Sequence, residues 1–236
     1  MLSKSPTRIF TEPSQISLRT DIGLLAIVLM FPASVYADAV ISTLSLNGSI
    51  SVQSWKTLRD ASIVKQDKDF SCGAASLTTL LNEFYGQSVT EEILLKTMDK
   101  GDLRASFEDM QRALPQFGFR AVGYAASYEQ LTKLKAPVIV YLKHRKDDHF
   151  SVLRGIDANT VWLADPSLGN RTYGREQFLE MWETRKGDLV NAELKGKILV
   201  VLPVKAGVTA LNNFFTKTPK RQTALAVEQL AIRHVP

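Results

Sequence analysis

The sequence predicts an α+β domain, in which helices come first and pack on an antiparallel sheet. Helical spacing of apolar side chains dominates residues 72–134, and β-branched apolar runs between turn residues dominate residues 136–204. With 236 residues, of which 45% are hydrophobic, the chain can bury a core of domain size. Helices followed by a meander of strands are typical of an α+β domain with segregated layers.

Residues 1–37 have the pattern of an export signal. Lys4, Arg8 and Arg19 precede the apolar run IGLLAIVLMF, and the following SVYADA offers the small residues of a cleavage site. We therefore expect cleavage after Ala37 and a mature protein in the periplasm. The apolar run is shorter than the roughly 20 residues that span a bilayer. The alternative is a retained anchor in the inner membrane, with the domain facing the periplasm.

The next residues divide into a lead-in segment, 38–59, and a domain, 60–204. One or two short strands are expected before Ile63. A helix that opens at Cys72 and stops at Gly86 is predicted from apolar positions spaced i, i+3, i+4 and i+7. These positions are Leu77, Leu80, Leu81 and Phe84.

Capping and stop signals predict three more helices. A Ser followed three residues later by Glu or Gln is the spacing of a capping box. It occurs at Ser88 and Glu91 ahead of ILLKTM, and at Ser127 and Gln130 in SYEQLTKL. Between them, SFEDMQRAL has helical spacing and ends at PQFG.

Strands dominate the second half of the domain. Three successive antiparallel strands are predicted at residues 136–143, 149–156 and 160–165, because HRKDD and DAN between them have turn chemistry. A short helix around REQFLEMW and a last strand at residues 196–204 complete the domain.

The formal charge of +5 is not spread over the domain. Without residues 1–37 the charge is +4, and residues 38–204 carry 21 basic and 21 acidic side chains. The excess lies in a basic C-terminal tail, residues 205–236. Nucleic-acid binding needs a basic face on the domain, so the sequence argues against it. The N-terminal segment and the basic tail leave room for contact with a membrane or an export machinery.

Cys72 is the only cysteine of the chain. In an oxidising compartment it would have no partner for an intramolecular disulfide. It is either a buried core residue, the commoner role of a free cysteine, or a nucleophile. A place in the first turn of a helix favours the thiolate, because unpaired N–H groups and the helix dipole lower the thiol pKa. Gly73 would let a substrate backbone come close.

A cysteine nucleophile needs a base, and the three histidines are His144, His149 and His234. His149 begins a strand whose alternation gives its ring a defined direction. Asp165 ends the next strand, from which its carboxylate could fix the imidazole tautomer. Gln66 could donate an amide hydrogen bond to an oxyanion. The ordinary alternatives are a surface histidine and an Asp-Pro turn.

Three segments carry a resemblance to a known family. QDKDFSCGAASL, HFSVLRGI and VWLADPSLG resemble the bacteriocin-processing cysteine peptidases that remove double-glycine leader peptides and have a papain-like fold. The resemblance covers about residues 60–204. It implies that Cys72 is the nucleophile, His149 the base, Asp165 its orienting partner and Gln66 the oxyanion donor. It implies no metal and no organic cofactor.

Two features depart from the family pattern. Ser71 stands where many members carry Asp directly before the cysteine, which bears on substrate preference. Members fused to export transporters contain a nucleotide-binding cassette, whereas this sequence has no Walker motif. We therefore expect a stand-alone, exported relative, similar to the peptidase-like protein of functional-amyloid export systems.

The expected function is that of a periplasmic cysteine endopeptidase, which processes a dedicated exported protein or peptide. The alternative is a catalytically quiet module of the same fold that binds a peptide segment during export. A complete set of side chains does not by itself establish their geometry.

Overall fold

An antiparallel sheet of six strands forms the framework of the domain. The computed structural model describes residues 37–42, 47–52, 54–144, 147–186 and 192–221. The predicted signal, apart from Ala37, and the tail beyond residue 221 lie outside these residues. The strands of the sheet are β3 (Phe119–Ala126), β4 (Val138–His144), β5 (Asp147–Ile156), β6 (Thr160–Asp165), β7 (Gly169–Gly174) and β8 (Gly196–Pro203). Two further strands, β1 (Ala37–Ser42) and β2 (Asn47–Val52), form a small sheet of their own.

Six α-helices accompany the strands in the described residues. They are α1 (Trp55–Asp60), α2 (Cys72–Thr79), α3 (Glu91–Met98), α4 (Phe107–Ala113), α5 (Tyr128–Leu131) and α6 (Arg175–Trp182). A π-helical turn, Leu80–Phe84, continues α2, and a 3₁₀ turn, Leu114–Phe117, continues α4. The α+β class predicted from the sequence is confirmed.

The strand order in the main sheet is β3-β8-β4-β5-β6-β7. The three central strands of the prediction, β4, β5 and β6, pair with each other in succession and antiparallel, as expected. The last strand, β8, inserts between β3 and β4, where Val140 pairs with Ile198. This arrangement leaves β3 and β7 at the two edges and buries β5 near the middle.

Two hydrophobic clusters cover the two faces of the sheet. On one face α2, which is buried along its whole length, packs against Ile139, Val152 and Leu199. On the other face Phe178 and Trp182 of α6 pack against Leu153 and neighbouring side chains. Successive residues of a strand point to opposite faces, so β5 contributes to both clusters and is held from both sides.

Several details differ from the sequence-based expectations. In the lead-in, strand structure stops at Val52, and α1 rather than a strand precedes Ile63. The cap of α3 is Thr90, whose hydroxyl accepts from the backbone N–H of Ile93, so the capping box predicted at Ser88 is wrong. The edge strands β3 and β7 were not predicted, because they contain Gly and Arg in place of an apolar run.

The helix that begins at Cys72 changes its winding at Leu80. Thr78 and Thr79 donate their hydroxyls to the carbonyl oxygens four residues earlier, a bond that often bends a helix. Beyond this point the chain continues as the π-helical turn up to Phe84. Apolar spacing identified the segment as helical but could not show this local widening.

The described part of the predicted tail packs against the domain. Phe214 is buried in the core. The backbone N–H of Thr216 donates to the carbonyl of Arg154, and Ile156 donates back to the carbonyl of Thr216. Among the described residues, no helix has the length and apolarity needed to cross a bilayer.

Candidate active site

Cys72 occupies the first position of α2. Ser71 directly precedes the helix. Its hydroxyl donates to the carbonyl of Lys68 and accepts from the Lys68 N–H, and these two hydrogen bonds stabilise the turn before the helix. Helix N-termini leave backbone N–H groups without intrahelical partners. The Cys72 side chain is 3% exposed and lies at this positive end of the helix dipole.

His149 and Asp165 approach each other from neighbouring strands. The register of β5 and β6 pairs Val152 with Ala164, which places His149 and Asp165 on the same face as diagonal neighbours. The ring Nε2 of His149 lies 2.8 Å from Asp165 Oδ2. The other ring nitrogen, Nδ1, is therefore the one left for the Cys72 thiol, whose pKa His149 lowers.

The Asp165 carboxylate is held by both of its oxygens. While Oδ2 meets the histidine, Oδ1 accepts from the backbone N–H groups of Ser167 and Leu168 at 2.9 and 2.8 Å. The turn chemistry of the Asp-Pro pair and the interaction with His149 are thus present together. Asp165 is therefore a turn residue and the partner of His149 at the same time, so these two interpretations of the sequence do not exclude each other.

The pKa values of the three groups are displaced in a consistent way. Burial by itself would raise the pKa of Cys72, but the hydrogen bond and charge of His149 hold it below its usual value, with smaller help from the Phe150 N–H. Burial would lower the pKa of His149, but Asp165 and Cys72 raise it to about 9. Burial also acts against the Asp165 carboxylate, yet His149 and two backbone N–H groups keep its pKa low.

These displacements favour one protonation state. A thiol with a lowered pKa next to an imidazole with a raised pKa exchanges a proton more readily, so the thiolate and imidazolium forms are stabilised together. The three groups titrate as a coupled set rather than one by one. The arrangement can therefore supply a nucleophilic sulfur and a proton donor within one site.

Gln66 lies in the loop before α2 and is tied to the turn that carries Asp165. Its backbone N–H donates to the carbonyl of Pro166, and its side-chain oxygen accepts from the Ser167 hydroxyl at 2.6 Å. Its amide nitrogen donates to the carbonyl of Lys68 at 2.9 Å. The amide nitrogen carries two hydrogens, so these contacts leave one of its N–H groups unused.

The cavity beside these residues has a volume of about 440 Å³. His149 and Asp165 line it, together with Gln66, Tyr173 and Met181. The described residues contain no group of three or more His, Cys, Asp or Glu that could hold a metal ion. The sequence-based expectation that no cofactor is needed stays a prediction.

Of the other candidate residues, only Gly73 can be compared with the expectation. The His234 position and the His144 side chain lie outside the described residues. Gly73 is buried, and the space of its missing Cβ is filled by the end of Met110, whose methyl would be 2.6 Å from a Cβ. The glycine therefore serves the packing of α2 on α4, not the close approach of a substrate backbone.

Sequence reasoning missed two charged residues near the site. Arg104 donates to the carbonyl of Asp148, and its charge helps to lower the pKa of Cys72. Glu91 is only 6% exposed, and its carboxylate accepts from the N–H of Asp67 in the loop that leads to Cys72. An acid in the first turn of a helix normally suggests only dipole stabilisation, so the sequence held no signal for this long-range contact.

Two of the curated relatives of the chain come from pseudomonads. The chain is 38% identical over 138 residues to the "Probable functional amyloid protease FapD" of Pseudomonas fluorescens, and equally to that of Pseudomonas aeruginosa. Each match covers 56% of this chain and 61% of the relative. The chain thus matches about three fifths of the length of these relatives.

Among solved structures, the peptidase domain of Streptococcus ComA, a bi-functional ABC transporter, is 20% identical with a TM-score of 0.49, over 60% of this chain and 97% of that domain. The family model of the Peptidase C39 family matches residues 60–186. This match takes in the Gln66–Cys72 loop, the His149 strand and the Asp165 turn, and it covers more than half of the chain. The resemblance drawn from the sequence and the papain-like class of the fold are confirmed: the chain belongs to the Peptidase C39 family.

Proposed function

We propose that the protein is a thiol endopeptidase in which Cys72 is the nucleophile. The observation that carries the proposal is the 2.8 Å contact between His149 Nε2 and Asp165 Oδ2, in a pair whose histidine also lowers the pKa of the Cys72 thiol. A buried carboxylate on Nε2 fixes the ring so that Nδ1 faces the sulfur. Nucleophile, base and orienting group are the three parts that covalent catalysis by cysteine requires.

The reaction follows from these positions. The Cys72 thiolate attacks the carbonyl carbon of the scissile peptide bond, and the imidazolium of His149 gives its proton to the leaving amine. The carbon–nitrogen bond breaks and a thioester to Cys72 remains. His149, now neutral, takes a proton from water as the water attacks the thioester, which releases the acid and restores the thiolate–imidazolium pair.

The oxyanion formed in each attack needs hydrogen-bond donors. Gln66 is the proposed side-chain donor, with the second N–H of its amide, and the N-terminus of α2 supplies backbone dipoles at the same end. The contacts of Gln66 with Pro166 and Ser167 connect this donor to the turn of Asp165. These contacts therefore position the proposed donor relative to Asp165, which in turn orients His149.

The proposed substrate is a dedicated polypeptide of an export pathway, such as a functional-amyloid subunit or a component of its secretion route. Two observations support it: the relatives named as probable amyloid proteases and the export-signal pattern of residues 1–37. In this proposal the enzyme meets its substrate in the periplasm, with an inner-membrane anchor as the alternative. Sequencing the N-terminus of protein recovered from the envelope tests the location: Asp38 is expected, and Met1 or Leu2 would favour the anchor.

Specificity has its own test. Purified mature protein is incubated with the secreted products encoded beside it, and with denatured casein as an unrelated substrate. Limited cleavage of one secreted product and little degradation of casein are expected. Broad digestion of casein would contradict the dedicated-substrate proposal while leaving the peptidase chemistry in place.

The competing proposal is a quiet module that holds a peptide without cleaving it. One observation favours it: the Cys72 side chain is only 3% exposed, and Cys72 is not among the residues that line the neighbouring 440 Å³ cavity. Attack on a carbonyl carbon needs that sulfur to be reachable. A binding module would not need this.

Thiol labelling across pH separates the two proposals. A small electrophile such as iodoacetamide should alkylate Cys72 at pH values well below those needed for an unperturbed thiol, because His149 lowers the thiol pKa. In a His149→Ala variant the same rate should be reached only at higher pH. The Cys72→Ala variant gives the background. Labelling that is absent at every pH in the folded protein would support the quiet module.

A further inference from the structure

A second cavity, of about 490 Å³, lies elsewhere in the domain. It shares no lining residue with the cavity beside His149. Its walls come from α1, from the strands β5, β6 and β7, and from the segment after β8. The residues that line it are Trp55, Leu58, Arg59, Ala61, Ser62, Arg154, Trp162, Asn170, Thr172, Thr216, Thr218 and Lys220.

Arg154 is the buried charged residue among those that line this cavity. It is 7% exposed, and its guanidinium carbon lies 4.2 Å from the ring centre of Trp162 and 4.5 Å from that of Phe214. The aromatic rings thus cover the flat faces of the guanidinium. The hydrogen-bond donors of the guanidinium lie in its plane. They can therefore still bind a further partner at the edge of the group.

The protein satisfies only part of the guanidinium. Nη1 donates to Asn170 Oδ1 at 2.8 Å, whereas Nε is buried and has no hydrogen-bond partner among the described residues. No carboxylate of the described residues forms an ion pair with Arg154; Glu83 acts on it only through its charge. Buried charges in proteins are normally paired, because desolvating an unpaired charge is costly. Burial also lowers the Arg154 pKa to about 10.

The other charged residues that line the cavity are also basic, and its wall is mainly apolar. Arg59 and Lys220 are the other ionisable residues of the wall, and no acidic residue is among the described residues that line it. Arg59 is already paired with Asp60 by two hydrogen bonds of 2.8 Å. At the rim, Trp55 is 61% exposed, which is unusual for so large an apolar side chain.

We propose that this cavity binds an organic carboxylate that is carried on an aromatic or aliphatic body. The carboxylate would meet the in-plane donors of Arg154, since a guanidinium and a carboxylate match in geometry. The body would pack between Trp55 and Trp162. A neutral ligand would leave the buried charge uncompensated, and a cation would be repelled by it. The cavity volume is in the range of small-ligand sites.

The chemistry does not by itself distinguish two sources of such a group. One source is a free small acid. The other is a polypeptide, in which a Glu or Asp side chain stands next to a large apolar residue. The inference does not depend on the proposed peptidase activity, because no residue of the Cys72 site lines this cavity.

The tryptophans provide the readout. The chain has three, and Trp55 and Trp162 line the cavity, whereas Trp182 of α6 is buried against the sheet. In ¹⁵N-labelled protein, titration with 3-phenylpropionate should shift the indole signals of Trp55 and Trp162 saturably and leave that of Trp182 unchanged. The neutral isostere 3-phenylpropionamide should bind about tenfold more weakly or worse.

Two variants test the role of the guanidinium and of the rim. Arg154→Met keeps an apolar chain of similar length and should weaken binding of the acid about tenfold or more. Trp55→Ala changes an exposed residue and should weaken it severalfold without affecting folding, so it carries the test if the first variant does not fold. Neither change should alter the rate of Cys72 alkylation.

The outcomes separate the sources and can overturn the proposal. Saturable shifts with the peptide acetyl-Leu-Glu-Phe-amide would identify the polypeptide source, and shifts with 3-phenylpropionate but not with the peptide would identify a small acid. Equal affinity for acid and amide, unchanged affinity in Arg154→Met, or no saturable shift of Trp162 with either probe would each contradict a carboxylate site.

Discussion

The ring Nε2 of His149 lies 2.8 Å from Asp165 Oδ2, across two antiparallel strands whose register makes these residues diagonal neighbours. The contact sets the tautomer of the ring, because an ionised carboxylate can only accept a hydrogen bond, so Nε2 must carry the hydrogen that it donates. The backbone N–H groups of Ser167 and Leu168 hold the carboxylate from its other oxygen. The orientation of the base is therefore fixed by the sheet and by the turn that ends it.

Asp165→Asn should inactivate the proposed peptidase while preserving the turn. The amide oxygen can still accept from Ser167 and Leu168, but the amide nitrogen would donate to Nε2 and leave the proton on Nδ1, facing the sulfur. We expect cleavage to slow by on the order of 10² to 10⁴. Steady-state cleavage of the identified substrate measures it.

A matched control for this change is Asp157→Asn, because Asp157 Oδ1 likewise accepts from two backbone N–H groups, those of Asn159 and Thr160, away from the His149 ring. Thermal unfolding is measured for both proteins. The Asp165→Asn protein should also show a lower pKa of His149 by NMR, because the carboxylate is a main cause of its rise to about 9. An unchanged histidine pKa would show that the contact does not set the ring's protonation.

Cys72→Ala and His149→Ala should each abolish processing. Acylation needs both members of the pair, so the loss should be similar for either change and not additive in the double variant. The buried thiol contributes little volume, and Cys72→Ala should cost about 1 kcal/mol in the free energy of unfolding. Urea unfolding checks the fold, and full biological activity of Cys72→Ala would support the binding module instead.

Gln66→Ala should slow cleavage by on the order of 10² to 10³, mainly in kcat, if its amide donates one hydrogen bond to the oxyanion. Ser167→Ala is the matched control, because it removes only the hydroxyl that orients the Gln66 side-chain oxygen. It should slow cleavage by less than about tenfold, since an orienting contact acts only indirectly. Equal losses in the two variants would argue that Gln66 acts as part of the loop structure alone.

Glu91 is predicted to position the loop that leads to the cysteine. Its buried carboxylate accepts from the Asp67 N–H at 3.2 and 3.4 Å, and Glu91→Ala would leave that donor unpaired at a cost of about 1–3 kcal/mol. Glu91→Gln keeps an acceptor oxygen and should restore most of the stability and rate. Burial raises the pKa of Glu91, which means that this environment disfavours the charged carboxylate. Replacing it with a neutral amide should therefore cost little stability. Urea unfolding and Cys72 alkylation rates distinguish the two variants.

The pH profiles of cleavage and of alkylation should differ on the alkaline side. Both rates should rise as pH passes the lowered pKa of Cys72, because both need the thiolate. Cleavage also needs the imidazolium as proton donor, so it should fall again as pH rises through about 9, the pKa of His149. Alkylation needs no proton donor and should stay high. A shared alkaline decline would point to unfolding or to another group.

The sequence itself determined the class of the fold and the identities of the candidate catalytic residues. Apolar spacing of 3.6 and of 2 residues is a local property, and it separated the helices near Cys72 from the strands that carry His149 and Asp165. Glycine and arginine hid the edge strands β3 and β7, which are held by their neighbours rather than by their own propensity.

The tertiary structure decided what depends on contacts between distant segments. The 2.8 Å contact between His149 and Asp165 comes from strand register, and the Glu91 brace on the loop at Asp67 comes from packing of α3, so no local pattern could reveal either. The same holds for the buried guanidinium of Arg154, which reads in sequence as an ordinary strand residue. Local spacing selects secondary structure, but pKa values and sites arise from the burial and the charges that the folded chain brings together.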